Sequence, residues 1–279
     1  MIWRCRDRVF DAPGRVLVMG ILNITPDSFS DGGRYLEPAA AIARAHEWTA
    51  AGADILDLGA ESTRPGSLPV AAEEQLRRLM PVVEALAGSG ACLSIDTGSA
   101  QVASAALAGG AHIINDVTAL GDPAMAGVVA AAGAGLVLMH MQGSPATMQY
   151  APHYDDVVRE VREFLGARMA IAVAAGVAPE CVALDPGIGF GKSIEHSLRL
   201  IARIDELAVL GRPVLLGASR KSFLGRLIGE EDPNQRLEAG LAAASIGAFL
   251  GARIIRTHDV AATRRATRIA EALVAARSG

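Results

Sequence analysis

The chain has 279 residues, of which 51% are apolar and only 4% are aromatic, and its formal net charge is −4. This apolar content is enough for a sizeable core, which excludes a disordered chain. The weak negative charge and the scarcity of aromatic rings argue against nucleic acid or an anionic membrane surface as a partner.

The N-terminal segment and the cysteines indicate the compartment. The segment MIWRCRDRVFDAPG lacks the apolar core and small-residue cleavage site of a signal peptide. No apolar run reaches the ~18 residues that a membrane span needs. Cys5, Cys92 and Cys181 are odd in number and far apart, without the paired spacing of a metal site. We therefore expect a cytoplasmic protein with no membrane partner.

Short apolar runs alternate along the chain with alanine-rich stretches of helical spacing. The predicted strands cover 16–21, 55–58, 92–95, 112–115, 135–139, 182–184, 214–216 and 254–256. The predicted helices include 38–51, 72–87, 99–108, 155–175, 235–250 and 260–276. This alternation predicts a parallel sheet, and eight repeats fit a TIM (β/α)8 barrel. No linker or charge block divides the chain, so we expect one α/β domain over 1–279.

A doubly wound open sheet is the alternative fold. Its nucleotide-binding form would show G-x-G-x-x-G after the first strand. The segment GILNITPDSFSDGG does not fit that pattern, and the similar GIGFG follows only the sixth run. The barrel is therefore favoured.

Polar residues follow every predicted strand. In chain order they are Asn23, Glu61 with Thr63 and Arg64, Asp96, Asn115, His140, Asp185, Lys221, and Arg256 with His258. In a barrel these positions belong to the C-terminal mouth, where βα loops build the active site. We expect them to converge on one cavity of mixed charge.

The residue types in this cavity indicate a ligand with two different ends. Asp96, Asp185 and the amide of Asn115 suit the donor edge of a guanidine-like heterocycle, although either aspartate could instead cap a helix. Arg256 and His258 stand two positions apart in an extended segment and face the same side, near the common phosphate site of barrels. Together with Asn23 they resemble an anion clamp.

The chain has only two lysines among 26 basic residues, Lys192 and Lys221, and both lie in loops after apolar runs. Lys221 falls between the predicted clamp and Asp185 and could donate to a ring carbonyl or nitrogen. Lys192 has no predicted ligand contact, and its role stays open; one interpretation is that it simply anchors its glycine-rich loop. The loops carrying Asp31 and Arg64 are rich in Ser, Gly and Pro and are candidate lids.

Eight segments together resemble the dihydropteroate synthase family and cover residues 19–260. They are MGILNITPDSFSDGG, ESTRPG, SIDT, IINDV, MHMQGSPATMQ, LDPGIGFGKS, SRKSFLG and RTHDV. The resemblance implies a transferase of folate biosynthesis. It would join 4-aminobenzoate to (7,8-dihydropterin-6-yl)methyl diphosphate by an SN1-like substitution, releasing pyrophosphate and 7,8-dihydropteroate.

The resemblance also implies a role for each site residue. The pterin would be held by Asp96, Asn115, Asp185 and Lys221, and the diphosphate by Asn23, Thr63, Arg256 and His258. The 4-aminobenzoate would lie near Thr63, Arg64, Phe190 and Ser222, and the implied catalytic residues are Asp96, Lys221, Asp31 and Arg64. Mg²⁺ would be carried mostly by the diphosphate, with Asn23 touching it. The resemblance further implies a homodimer, for which the helices 237–250 and 260–276 are candidates.

Two other functions compete. A pterin-binding methyltransferase domain that serves a corrinoid would share the acids and the asparagine but would need no diphosphate clamp. A non-catalytic module would bind a pterin or a partner protein without turnover. The Arg256-x-His258 pair, SRKSF and ESTRPG favour the synthase.

Overall fold

A computed structural model of the chain describes residues 2–11, 14–24, 37–61, 67–144 and 147–278. A hairpin of β1 (Trp3–Cys5) and β2 (Arg8–Phe10) precedes the main sheet. The strands of that sheet are β3 (Leu17–Asn23), β4 (Ile55–Gly59), β5 (Cys92–Asp96), β6 (Ile113–Asp116), β7 (Gly135–Met139), β8 (Val182–Asp185), β9 (Leu215–Leu216) and β10 (Ile254–Thr257).

Helices follow the strands and form the outer layer. They are α1 (Glu37–Ala50), α2 (Ala72–Leu86), α3 (Ala100–Ala108), α4 (Met125–Ala132), α5 (Val157–Ala174), α6 (Ile194–Ala202), α7 (Asp205–Ala208), α8 (Ser222–Ile228), α9 (Leu237–Leu250) and α10 (Val260–Ser278). Among the helices that the structure describes, none combines the length and apolar character needed to cross a membrane.

The sheet is parallel and closes on itself. Its strand order is β8-β7-β6-β5-β4-β3-β10-β9. A bridge between Leu184 and Val214 joins the two ends, and the Leu184 N–H donates to the Pro213 carbonyl at 2.9 Å. The predicted TIM barrel is therefore confirmed.

Successive side chains along each strand point in opposite directions, so that every second residue points into the barrel. The lower interior is apolar and contains Leu17, Met19, Ile55, Cys92, Ile113, Val137, Ala183, Leu215 and Ile254. A larger apolar cluster lies between the outward faces of the strands and the helices.

The β1–β2 hairpin covers the lower end of the barrel. Trp3 and Cys5 are buried in the same cluster as the lower interior residues. The Trp3 indole N–H donates to the Cys181 carbonyl at 2.9 Å. Arg6, at the hairpin turn, donates to the carbonyls of Leu107 and Ala111 at 2.8 Å each. The hairpin therefore closes the end of the barrel opposite the predicted mouth.

Candidate active site

Strand register brings three of the predicted mouth positions, together with Gly59, into one row. Asn23 pairs with Gly59, Gly59 with Asp96, and Asp96 with Asn115. Asp96 and Asn115 are buried, whereas Asn23 at the end of β3 is half-buried. Gly59 has no side chain, and an added Cβ would lie 3.6 Å from the Asp96 Cβ and 3.7 Å from the Asn23 Oδ1. The absence of a side chain at Gly59 therefore leaves space between Asn23 and Asp96.

Arg256 crosses the barrel interior and joins two carboxylates. Its Nε donates to Asp57 Oδ2 at 2.6 Å, and one Nη donates to Asp96 Oδ2 at 2.8 Å. Burial raises the pKa of Asp96 to about 7, opposed by Arg256. Burial also opposes the charge of Arg256, but Asp57 and Asp96 hold its pKa above the ordinary value. Arg256 was predicted to bind diphosphate, and in this structure two of its nitrogens engage protein carboxylates.

Asp57 is a site residue that the sequence analysis missed. Its side chain is 0% exposed, and it accepts hydrogen bonds from Ser94 Oγ at 2.6 Å and from Asn115 Nδ2 at 3.1 Å, in addition to Arg256. Asp57 lies inside the run ILDL, which was interpreted only as an apolar strand. Its inward position, two residues before Gly59, is the signal that could have found it, because a charged residue inside a barrel requires partners.

Asp185 and Lys221 place a second set of opposite charges at the mouth, each of which shifts the pKa of the other. Asp185 Oδ1 accepts from the Gly187 N–H at 2.7 Å. Burial raises the pKa of Asp185, and Lys221 opposes that shift. Burial lowers the pKa of Lys221 to about 8, opposed by Asp185. The Lys221 Nζ donates to the Ile188 carbonyl and lies 4.5 Å from the centre of the Phe190 ring.

Neither aspartate acts as a helix cap. The N-cap of α3 is Ser99, whose hydroxyl accepts from the Val102 N–H. The N-cap of α6 is Ser193. The carboxylates of Asp96 and Asp185 therefore do not cap these helices, and they face the interior.

Lys192 anchors the loop after β8, as its position suggested. Its Nζ lies 2.9 Å from His140 Nδ1 and donates to the His140 and Phe190 carbonyls at 3.2 and 3.0 Å. Gly187 has a φ of +66°, and a Cβ there would lie 1.9 Å from the His140 carbonyl oxygen. The loop therefore packs directly on the backbone that follows β7, and both lysines of the chain donate to its carbonyls.

His140 does not join the other polar residues in the cavity. Its ring lies edge-on to Phe164 of α5, with 4.8 Å between ring centroids, so it faces the outer helices. Burial lowers its pKa to about 3, and Lys192 adds to that shift. The expectation that all the strand-end residues converge is wrong for His140, because it is one residue beyond the inward-facing Met139 and points the opposite way.

The remaining predicted residues divide into two groups. His258 lies beside Ser219, with 3.1 Å between His258 Nδ1 and Ser219 Oγ, and Ser222 is exposed at the start of α8. Asp31, Thr63 and Arg64 lie outside the described residues. Glu61, at the edge of that gap, is turned toward the helix layer, where it accepts from the Val70 N–H at 3.2 Å and from Gln75 Nε2 at 3.0 Å.

The sequence of the chain is similar to a family of known proteins. A family model described as "Pterin binding enzyme" matches residues 19–258. The chain is 47% identical to the dihydropteroate synthase of Escherichia coli K12, covering 93% of this chain and 92% of that protein. It is 48% identical to the dihydropteroate synthase of Neisseria meningitidis serogroup B, covering 92% of each.

Solved structures give the same relationship. The Yersinia pestis dihydropteroate synthase with a sulfonamide drug complex superposes with a TM-score of 0.92 at 44% identity, over 99% of this chain and 100% of that one. The Xanthomonas albilineans dihydropteroate synthase in complex with 7,8-dihydropteroate superposes with a TM-score of 0.88 at 43% identity, over 98% of each chain.

Proposed function

The chain belongs to the dihydropteroate synthase family of pterin-binding enzymes, and from this premise we propose how its barrel mouth works. The enzyme joins 4-aminobenzoate to (7,8-dihydropterin-6-yl)methyl diphosphate and releases pyrophosphate and 7,8-dihydropteroate. The observation that carries the proposal is the set of buried Asp96, Asn115 and Asp185 and half-buried Lys221 and Arg256 at one end of the barrel. It offers acceptors and donors to a heterocycle where water is scarce.

The pterin would occupy the buried part of the site. The Asp185 carboxylate suits the guanidine-like edge, because an acid accepts two parallel N–H bonds. Lys221 is 4.5 Å from the Phe190 ring centre and would donate to a pterin oxygen or nitrogen. Asp96 would stabilise positive charge that develops on the ring and methylene as the C–O bond to pyrophosphate breaks. The site then needs no covalent nucleophile.

The diphosphate and the aminobenzoate would occupy the outer part. His258, Asn23, Thr63 and one face of Arg256 are proposed to hold the diphosphate. Phe190, Ser222, Thr63 and Arg64 are proposed to surround the 4-aminobenzoate, whose amine forms the new C–N bond and releases a proton. Asp31 and Arg64 are proposed to close over the reaction and exclude water.

The donor set at the mouth fits a magnesium ion that arrives with the substrate. Within the described ranges, no group of three or more His, Cys, Asp or Glu side chains could hold a metal. Asn23 supplies a hard amide oxygen at the end of β3, the type of ligand that Mg²⁺ accepts beside phosphate oxygens. We propose Asn23 as the protein ligand. Bound Mg²⁺ would reduce the charge of the leaving group.

Pyrophosphate release tests the function directly. The purified chain is incubated with dihydropterin diphosphate and Mg²⁺, with and without 4-aminobenzoate, and pyrophosphate and dihydropteroate are measured. The proposal predicts both products in equal amounts when all three are present. Absence of pyrophosphate in both conditions would contradict it. Methyl transfer to a corrinoid would favour the methyltransferase alternative. The similarity to the dihydropteroate synthases of Escherichia coli and Neisseria meningitidis argues against that alternative.

We also propose that a second copy of the chain covers an exposed apolar face on α9 and α10. Ile246, Ile269 and Leu273 are 54%, 65% and 54% exposed on these two packed helices. Sedimentation velocity should show a dimer, and Ile269→Glu should give a monomer with an unchanged circular dichroism spectrum. The wild-type chain sedimenting as a monomer would contradict the homodimer.

The cysteines support a reducing compartment. Cys5, Cys92 and Cys181 are all buried and free. Burial raises the pKa of Cys92 to about 12, so this thiol stays protonated and unreactive at neutral pH. We therefore propose a cytoplasmic location, which subcellular fractionation would test.

A further inference from the structure

Asp57 holds three donors from three other strands although nothing in the sequence motifs draws attention to it. Its Oδ1 accepts from Ser94 Oγ at 2.6 Å. Its Oδ2 accepts from both Asn115 Nδ2 at 3.1 Å and Arg256 Nε at 2.6 Å. Its side chain is 0% exposed, so its polar contacts within the protein replace water. Asp57 therefore links β4 to β5, β6 and β10 in the layer just below the substrate residues.

The contact with Asp57 determines which end of the Asn115 amide is left for a ligand. An Asn side chain has a donating and an accepting end, and a carboxylate can only accept. Asn115 must therefore turn its NH₂ group to Asp57, which leaves its Oδ1 at the other end. That oxygen is buried and has no hydrogen-bond partner among the described residues. A buried acceptor without a partner costs about 1–3 kcal/mol, and a ligand N–H would remove that penalty.

The same carboxylate also fixes the plane of the Arg256 guanidinium. Arg256 donates from Nε to Asp57 and from Nη to Asp96 at 2.8 Å, so the fork is held at two points. The side chain of Arg256 is 19% exposed, so protein does not enclose it completely. Asp57 therefore aligns one acceptor and one cation toward the cavity without facing the substrate itself.

We propose that Asp57 is a positioning residue that sets the specificity of the pterin pocket. It fixes Asn115 as an acceptor, so the pocket selects a heterocycle that presents an N–H donor to Asn115 Oδ1. A heterocycle with a lone pair at that place would meet two acceptors facing each other and would be rejected. This inference rests on the proposed function, because it takes dihydropterin diphosphate as the ligand.

Two substitutions at Asp57 separate orientation from charge. In Asp57→Asn, the amide oxygen can still accept from Asn115 and Arg256 while its NH₂ donates to the Ser94 hydroxyl, which can accept. In Asp57→Leu, of similar shape, no acceptor remains. By calorimetry, we expect Asp57→Asn to weaken binding of dihydropterin diphosphate by less than ~5-fold and Asp57→Leu by ~30-fold or more, since a fixed buried hydrogen bond is worth about 1–3 kcal/mol.

A double-mutant cycle shows whether Asp57 acts through Asn115. Asp57→Leu should weaken binding by less than ~5-fold in an Asn115→Ala background, because the amide that it orients is already gone and Asp96 still holds the Arg256 guanidinium. Ser94→Ala is the matched control. It removes a donor to Asp57 without touching Asn115 and should change affinity by less than ~3-fold. The KM for 4-aminobenzoate should stay within ~3-fold of wild type in all variants, because Asp57 lies on the pterin side.

The inference would be overturned if Asp57→Leu weakened binding equally in the wild-type and the Asn115→Ala backgrounds. It would also be overturned if Asp57→Asn bound dihydropterin diphosphate as weakly as Asp57→Leu. Circular dichroism establishes that each variant is folded. If the leucine variant is unfolded, Asp57→Ala replaces it in the same cycle, because the smaller side chain leaves room for water beside the donors. Wild-type protein that binds no dihydropterin diphosphate would instead refute the proposed function, so the two failures are distinguishable.

Discussion

The lower and upper halves of the barrel interior are built from the same strands and differ in almost every physical property. On β4 the inward residue changes from Ile55 to Asp57, on β6 from Ile113 to Asn115, and on β10 from Ile254 to Arg256. Each change is one step of two residues along a strand, about 6–7 Å. The inward-facing residues thus change from apolar packing residues to polar site residues within a single layer of the barrel.

The two halves treat burial in opposite ways. In the lower half, buried thiols remain neutral, since burial raises the pKa of Cys92 to about 12. In the upper half, Arg256 is charged between Asp57 and Asp96. Buried ion pairs seldom add net stability, because desolvation offsets their attraction. The lower half therefore carries stability, and the upper half keeps its charges for binding.

The largest expected effect lies in the lower half. Trp3→Ala removes a buried ring that packs in the lower cluster and contacts Phe10 at 5.7 Å between centroids. We expect the free energy of unfolding to fall by about 3–5 kcal/mol, as is usual for truncating a buried Trp. Both KM values should stay within ~3-fold of wild type. Denaturant unfolding and steady-state kinetics measure these quantities, and a large rise in either KM would mean that the two halves are not independent.

The next effect lies in the upper half, where a substitution should reduce binding and leave stability almost unchanged. Lys221→Ala should weaken binding of dihydropterin diphosphate by ~100-fold, because a hydrogen bond from a charged donor contributes about 1.5–3 kcal/mol. The free energy of unfolding should not fall by more than ~1 kcal/mol, since the desolvated ammonium is removed with its contacts. Calorimetry and denaturant unfolding check this. Unchanged affinity would exclude Lys221 from the site.

Sequence periodicity was sufficient for the barrel. Each of the eight predicted runs overlaps a strand of the sheet, and the six predicted helices agree with the observed ones to within a few residues. The β1–β2 hairpin was missed because its strands have only three residues each. Helix α4 was missed because it is apolar on all sides and shows no helical alternation of polar and apolar residues.

The site was less accessible from the sequence than the fold. Polar residues after a strand are visible as breaks in an apolar run, which is how Asp96 and Asp185 were found. Asp57 lies inside its run, and its importance depends on Asn115 and Arg256, which are 58 and 199 residues away along the chain. His140 was assigned to the cavity because a strand-end position alone does not specify which side of the sheet a residue faces.

A smaller effect should come from Lys192, which belongs to the upper half but touches no proposed substrate atom. Lys192→Met removes the donors that hold the His140 and Phe190 carbonyls while keeping a chain of similar length. We expect the KM for 4-aminobenzoate to rise by ~10-fold, since small shifts of a positioning group can cost up to ~100-fold. The free energy of unfolding should change by less than ~1 kcal/mol, because burial lowers the pKa of Lys192 and opposes its charge.

The matched control is Arg199→Met, which replaces an exposed basic residue on the neighbouring helix α6. Its surface ion pair with Glu195 should contribute less than ~1 kcal/mol to stability and nothing to KM. If Lys192→Met lowers stability strongly while both KM values are unchanged, Lys192 is a structural residue only and does not position Phe190.

The smallest effect is a pH dependence that separates binding from stability at one residue. Burial lowers the pKa of Lys221 to about 8 in the folded protein, from 10.5. If the protonated amine binds the pterin, kcat/KM for dihydropterin diphosphate should fall above pH 8, by ~4-fold between pH 7 and 8.5.

Stability should change in the opposite direction as the pH rises above 8. Between pH 8 and 10.5 the unfolded chain holds a proton at Lys221 that the folded chain has released, so this group makes the free energy of unfolding rise with pH. General alkaline unfolding would lower both quantities together. Lys221→Arg should move the fall in kcat/KM above pH 10, because an arginine stays protonated there. Cys92→Ala, in the lower half, should leave the kcat/KM profile unchanged. A profile that is identical in the Lys221→Arg variant would assign the titration to another group and would remove pH sensitivity from the contrast between the two halves.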